Sequence, residues 1–146
     1  MVWPDPGAIK AFKPKNPRVK IILQVGSTAL NQVERQPFYL IRRLKEYKGI
    51  IDFVLLDDSG GAGRVLNPRF LLPFVLSILQ SLLDMRIVIA GGLSKSNLHL
   101  ITPIVSHCPD LSIDAEGNVR DKVKDCLDMK EVSGFIINSF EFFVHP

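Results

Sequence analysis

Cysteine is scarce in this chain: Cys108 and Cys126 form neither a CxxC pair nor a histidine-containing ligand pattern. That excludes a disulfide framework and points to a reducing compartment. His99, His107 and His145 lie far apart, so no metal is expected, and nothing in the residues requires a cofactor. Charge of one sign is also lacking, the net value being +3. Lys10, Lys13, Lys15, Arg18 and Lys20 gather near one end, but proline and apolar residues interrupt them. Without an aromatic-interleaved basic stripe, no nucleic-acid partner is expected. Long hydrophobic runs are missing too. The longest apolar window, Phe70 to Leu83, contains Pro73 and ends at Asp84, short of the roughly 20 apolar residues that span a bilayer. Met1-Val-Trp-Pro-Asp5 has no charged and then apolar stretch of signal-peptide type. The expectation is a cytoplasmic protein without a membrane segment.

What is present is ordinary globular composition, 47% hydrophobic and 23% charged over 146 residues, which fits one domain over 1–146. Its most informative stretch is Ile50-Ile-Asp-Phe-Val-Leu-Leu-Asp-Asp-Ser-Gly-Gly-Ala-Gly63. The apolar part is short and rich in branched side chains, as in a strand buried on both faces. It ends in two carboxylates and a glycine cluster. Arg86-Ile-Val-Ile-Ala-Gly-Gly-Leu93 repeats the logic.

Strands and helices alternate along the chain. Strands are expected at Val19–Val25, Ile50–Leu56, Ile87–Ala90, Leu111–Asp114 and Gly134–Asn138. Helical periodicity runs from Asn31 to Tyr47, with Gly49 as its stop. Asn67-Pro68 supplies a cap and a first-turn proline for a helix to about Leu83. Ser94 is a plausible cap for a helix reaching Val105, Lys122–Met129 reads as a short helix or helical turn, and Ser139 as the cap of a last short helical segment. Five strands joined by crossovers make an α/β domain with a parallel sheet of sequential units. Periodicity leaves open whether that sheet is flat or part of a barrel.

The polar signals fall at the carboxyl ends of the strands, the side where parallel α/β sheets bind ligands. Asp57 is the best acid/base candidate, because desolvation at the end of a buried strand raises a carboxyl group toward a useful range. Capping the following loop is the competing role. Asp58 should point the other way. Gly91-Gly92 suits either a phosphate or a left-handed turn. Asp114, Glu116 and Gly117 follow the fourth strand with the same ambiguity.

Taken in order, Asp52-Phe-Val-Leu-Leu-Asp57, Gly60-Gly-Ala-Gly63, Ile87-Val-Ile-Ala-Gly-Gly-Leu93, Ser112-Ile-Asp114 and Lys124-Asp125 resemble phosphoribosylanthranilate isomerase over about residues 19 to 140. The resemblance implies a (β/α)8 TIM barrel and an Amadori rearrangement, an aldose–ketose isomerisation in tryptophan biosynthesis. It makes Asp57 the general acid and Gly91, Gly92 and Gly117 the phosphate cradle. Gly60, Gly61, Gly63 and Asp114 become the substrate loops, and a phosphorylated small molecule the ligand.

The departures are specific. The strand Val19–Val25 corresponds to the fourth of eight, which leaves the first two units without a counterpart in this sequence. The family's cysteine base ends the first strand, and neither Cys108 nor Cys126 matches it. Ala62 replaces a loop threonine, and Ala115-Glu116 replaces a serine pair, setting a negative charge near a phosphate. The expectation is therefore an N-terminally incomplete, truncated, isomerase-like barrel, inactive as this chain alone. The alternative is a non-catalytic phosphate-ligand-binding or interaction subunit that completes its barrel with a partner. Bare sheet edges favour self-association or such a partner, with Met1-Val-Trp3 and Phe135–Asn138 as the contact edges.

Overall fold

The computed structural model describes residues 3–59, 65–81, 83–121 and 123–144. Its centre is a sheet of four parallel strands, β1 (Ile22–Gly26), β2 (Phe53–Asp57), β3 (Arg86–Ile89) and β4 (Ser112–Ile113), in sequential order. Val25 pairs with Leu56, Leu55 with Val88, and Ile89 with Ile113. The chain is thus an α/β protein of sequential βα units, consistent with part of a TIM-barrel-like sheet.

Side chains alternate across the strands as an extended backbone requires. Leu23, Val25, Val54, Leu56, Ile87 and Ile89 enter the hydrophobic core with the helices. Gln24, Leu55 and Val88 occupy the intervening positions and are not members of that core. Ile22, at the start of the same row, is 54% exposed. Parallel sheets are ordinarily covered on both faces; on the face away from the helix core Val88 and Asp57 are buried while Ile22 is exposed.

The covering layer holds α2 (Ser27–Gln32), α3 (Pro37–Leu44), α4 (Pro68–Gln80) and α5 (Thr102–Val105). Asn67 caps α4 by accepting from Phe70 N–H at 3.3 Å, and Pro68 takes the first helical position. The helix buries Leu71, Phe74, Val75 and Ile78, a stripe at spacings of three and four. Burying a side chain of the size of Phe74 contributes about 1.5–3 kcal/mol. A short helix, α1 (Pro6–Phe12), opens the described chain; Asp5 caps it, accepting from Gly7 and Ala8 N–H.

Several expectations need correction. The helix over 31–47 is broken: Glu34 and Arg35 adopt φ of 53° and 51°, and Pro37 starts a new helix. Gly49 does end the segment with φ of 75°. The segment after Ser94 reaches Val105, but through a 3-10 turn at Leu98–Ile101 before α5. Instead of a helical turn near 122–129 there is a small antiparallel ribbon, β5 (Arg120–Asp121) with β6 (Cys126–Leu127), outside the main sheet. Gly134–Asn138 is not a fifth strand. It lies within α6 (Met129–Val144), and Ser139 sits inside that helix, donating to the carbonyl of Phe135. Phe135, Phe142 and Phe143 pack toward the core, while Ile136, Ile137 and Phe140 are exposed. The apolar pattern there is helical on both sides, which a five-residue window cannot distinguish from a buried strand. Trp3 is no edge remnant either: it is buried, its ring 6.2 Å from that of Tyr47.

Candidate functional site

β2 carries Asp57 to the carboxyl end of the sheet. It follows Phe53 and Leu55 on the side away from the helix core, and its neighbour Asp58 points the opposite way. Asp58 accepts from the Arg35 guanidinium at 2.5 Å, and that guanidinium lies over the Phe70 ring. Asp57 is buried, and one carboxylate oxygen accepts from Ser59 N–H at 2.9 Å and Ser59 Oγ–H at 2.5 Å. Both readings of Asp57 therefore describe the same residue: it caps its loop and it faces a cleft.

The cleft has a volume of about 290 Å³ and gathers Asp57, Gly91, Gly92, Asp114 and Gly117. Parallel strands place all of these loops at one end, so residues distant in sequence meet. Gly60, Gly61 and Gly63, expected in a substrate loop, lie outside the described residues.

The turn after β3 requires glycine. Gly91 has φ of 117° and Gly92 of 60°. A Cβ on Gly91 would stand 3.3 Å from an Asp57 carboxylate oxygen and 3.5 Å from Leu66 Cβ. The Gly91 carbonyl accepts from Leu66 N–H. The Gly92 carbonyl accepts from two amides, Asn97 Nδ2 at 2.9 Å and Asn118 Nδ2 at 2.7 Å. Asn97 also accepts from Ser94 N–H through its Oδ1 at 2.7 Å, while Ser94 Oγ accepts from Ser96 N–H at 3.4 Å. The turn is thus held from below by its own helix segment and from the side by the loop after β4.

The lining is rich in carboxylates: Asp57, Asp114, Glu116 and Asp125. Among the described lining residues Arg120 is the one cation, and it is shared. It donates to Asp125 and approaches Glu116 at 3.8 Å. Asp114 is exposed. Partial burial against the cleft, then the charges of Glu116 and Asp57, push its carboxyl above the ordinary range. Neither cysteine lines the cleft. Cys108 is buried in the core, where desolvation raises its thiol, and Cys126 is exposed on β6. Among the described residues no group of three or more His, Cys, Asp or Glu side chains is placed to hold a metal ion. Among them too, no helix is long and apolar enough to cross a membrane.

Sequence reasoning overlooked Ser59, Gln24, Asn97, Asn118 and Arg120. Ser59 was visible as the hydroxyl two residues beyond the acid, an Asx-turn partner. Asn118 was not, since it meets Gly92 across 26 positions.

One comparison bears on kinship. The chain is 34% identical over 93 residues to an N-(5'-phosphoribosyl)anthranilate isomerase of Methanococcus aeolicus. That span covers 63% of this chain and 40% of the archaeal protein. No family model matches, and no solved structure matches. A match of this extent supports the family weakly; with the parallel sheet, it supports an isomerase-like barrel relationship.

Proposed function

We propose that this chain is a barrel relative of phosphoribosylanthranilate isomerase that keeps the acid of that chemistry at Asp57 but has no isomerase turnover by itself. The observation that carries this reading is the setting of Asp57. It is a buried carboxylate at the carboxyl end of β2, held by Ser59 and facing the Gly91 turn in an open cleft. General acid–base catalysis needs a second group to take the proton, and losing one partner costs about 10²–10⁴-fold. The two thiols of the chain lie elsewhere, so the cysteine base has no substitute of its own kind.

On this reading Gly91, Gly92 and Gly117 form the side of the cleft that meets a phosphate. The four carboxylates and the engaged Arg120 weaken that binding, because a dianion entering the cleft meets like charge. Four strands answer to four consecutive units of an eight-stranded barrel, one fewer than an assignment to the fourth through eighth strands requires. A reducing, cytoplasmic setting suits the two unpaired thiols.

A second reading is favoured by the outer edges of β1 and β4, which no strand pairs among the described residues. It makes the chain a non-catalytic subunit that holds a phosphorylated ligand, or none, and completes its barrel with a partner. The test is the conversion of phosphoribosylanthranilate by purified chain beside Asp57→Asn, with ribose 5-phosphate titrated into both. We expect no turnover above background and weak phosphate-ester binding. Robust turnover that Asp57→Asn abolishes overturns the claim of inactivity, and tight binding without turnover selects the second reading.

A further inference from the structure

We infer that α6 positions the Gly91–Gly92 wall of the cleft, with Asn138 and Gly134 as the positioning residues that act on it through Lys95 and Asn97. The inference rests on the reading that this wall meets the ligand, and it names what holds the wall from outside the sheet.

The turn after β3 is fastened by a side chain that is itself held. The Gly92 carbonyl accepts from Asn97 Nδ2 at 2.9 Å, and Asn97 Oδ1 accepts from Ser94 N–H at 2.7 Å. Both ends of that amide are committed, so Asn97 grips Gly92 only while residues 94–97 keep their path. That path runs against α6. Asn138 Nδ2 donates to the Lys95 carbonyl at 2.7 Å, and Lys95 Nζ donates to Glu131 at 2.8 Å. One residue is thus tied to one helix at its backbone and at its side-chain tip.

The sequence of α6 is arranged for this contact. Glu131, Gly134 and Asn138 stand at spacings of three and four, on one stripe of the helix. Gly134 lies inside that helix, where glycine is less favourable than alanine. Its neighbour gives the reason. A Cβ on Gly134 would stand 2.7 Å from Lys95 Cδ, closer than carbon atoms pack. The missing side chain lets α6 approach near enough for Asn138 to reach the Lys95 carbonyl. Glycine and amide therefore act together: one permits the approach and the other makes the bond.

The consequence for the cleft is directional. Loosening the Lys95 carbonyl frees residues 94–97, which frees Asn97 and then the Gly92 carbonyl. Asp57 and its bonds to Ser59 lie on β2 and the loop after it, outside this chain of contacts.

The experiment is hydrogen exchange on the 146-residue chain without ligand, comparing peptides over 91–97 with peptides over β1 and β2. In Asn138→Ala the amides of 91–97 should exchange about two- to tenfold faster, the scale of one lost hydrogen bond. Those of β1 and β2 should keep the parent rate. Gly134→Ala should match it, although alanine favours a helix. Adding Lys95→Ala to Gly134→Ala should restore the parent rate, because Lys95 Cβ lies at 3.7 Å, an ordinary contact. Phe140→Ala, on the exposed side of α6, is the control and should change nothing at 91–97. Thermal melts check that each variant is folded; should Gly134→Ala not fold, Asn138→Ala decides alone.

Parent-like exchange over 91–97 in a folded Asn138→Ala or Gly134→Ala overturns the inference. So does acceleration spread evenly over the chain, or an equal acceleration in Phe140→Ala. Ribose 5-phosphate titrated into parent and Asn138→Ala then connects wall to ligand: affinity should fall about threefold or more. An unchanged affinity beside a loosened wall overturns the role in binding. A parent that binds no ribose 5-phosphate defeats the functional reading instead, and exchange alone judges the positioning, so the two fail separately.

Discussion

Two aspartates bracket β2, and they live in opposite electrostatic settings. Asp52, at the amino end, accepts from Ile21 N–H at 2.9 Å, from Lys13 at 3.2 Å and from Lys20 at 3.3 Å. Those donors, the Ile21 amide first, hold its carboxyl below the ordinary range. Asp57, at the carboxyl end, is more buried, shares its cleft with three other carboxylates, and faces open volume. The amino end is built as a closed ionic knot that ties β1, β2 and the segment after α1 together. The carboxyl end gathers like charge, an arrangement that adds nothing to stability and is found where a ligand or a proton is handled. A single strand thus carries a residue for folding at one end and, on the function proposed above, the residue for chemistry at the other.

The sharpest way to break that contrast is Gly91→Ala. The positive φ is strained for any residue with a Cβ, and here the added atom also meets Asp57. Strain of this kind costs on the order of 1–3 kcal/mol, and the contact adds to it. We expect a loss of about 2 kcal/mol or more in a denaturant melt, larger than that of a substitution at either Asp52 or Asp114. A loss within a few tenths would mean that the turn after β3 relaxes freely and is no fixed wall of the cleft.

Asp52→Ala tests the amino end and should rank second. It removes two charged partners and leaves the Ile21 amide without its acceptor, for about 1–2 kcal/mol. Because the folded carboxyl titrates below its ordinary value of 3.8, its contribution is present above that pH and is lost as pH falls through the folded value. Parent and variant should therefore converge in stability on acidification. If their gap stays constant down to the acid transition, the knot is not electrostatic.

Legibility in the sequence followed length of signal. β1, β2 and β3 were readable because each is a mostly apolar, branched run, broken in β1 only by Gln24, that ends at or just before glycine or a carboxylate. The helix α6 was misread because Gly-Phe-Ile-Ile-Asn is apolar under either period. The decisive cue lay outside that window, at Asp128 and Glu131. Asp128 accepts from Lys130 and Glu131 N–H, the cap of a helix start, while Glu131 turns away to pair with Lys95 at 2.8 Å. Pro37 likewise announced a new helix that smooth periodicity concealed. At the site, Asp57 and the glycines stood out because strand ends in parallel sheets converge. The amides that clamp Gly92 did not, since Asn118 comes into reach only after β4 has docked.

The smallest effect belongs to Asp114→Asn, and it carries the opposite sign. The cleft holds Asp114 above its ordinary value of 3.8, by partial burial first and by Glu116 and Asp57 after it. For such a group the folded state favours the protonated form. The associated stability is full below the unfolded value and is lost as pH rises through the raised folded value. An amide in place of the carboxyl removes that loss. Asp114→Asn should therefore leave stability unchanged in strong acid and raise it slightly near neutrality, while Asp52→Ala lowers it there. Thermal melts of both variants from about pH 3 to about pH 7 bracket the two transitions and measure the slopes side by side. If Asp114→Asn lowers stability at neutral pH, the carboxylate is satisfied by a partner, and the contrast between the two ends of the sheet does not hold.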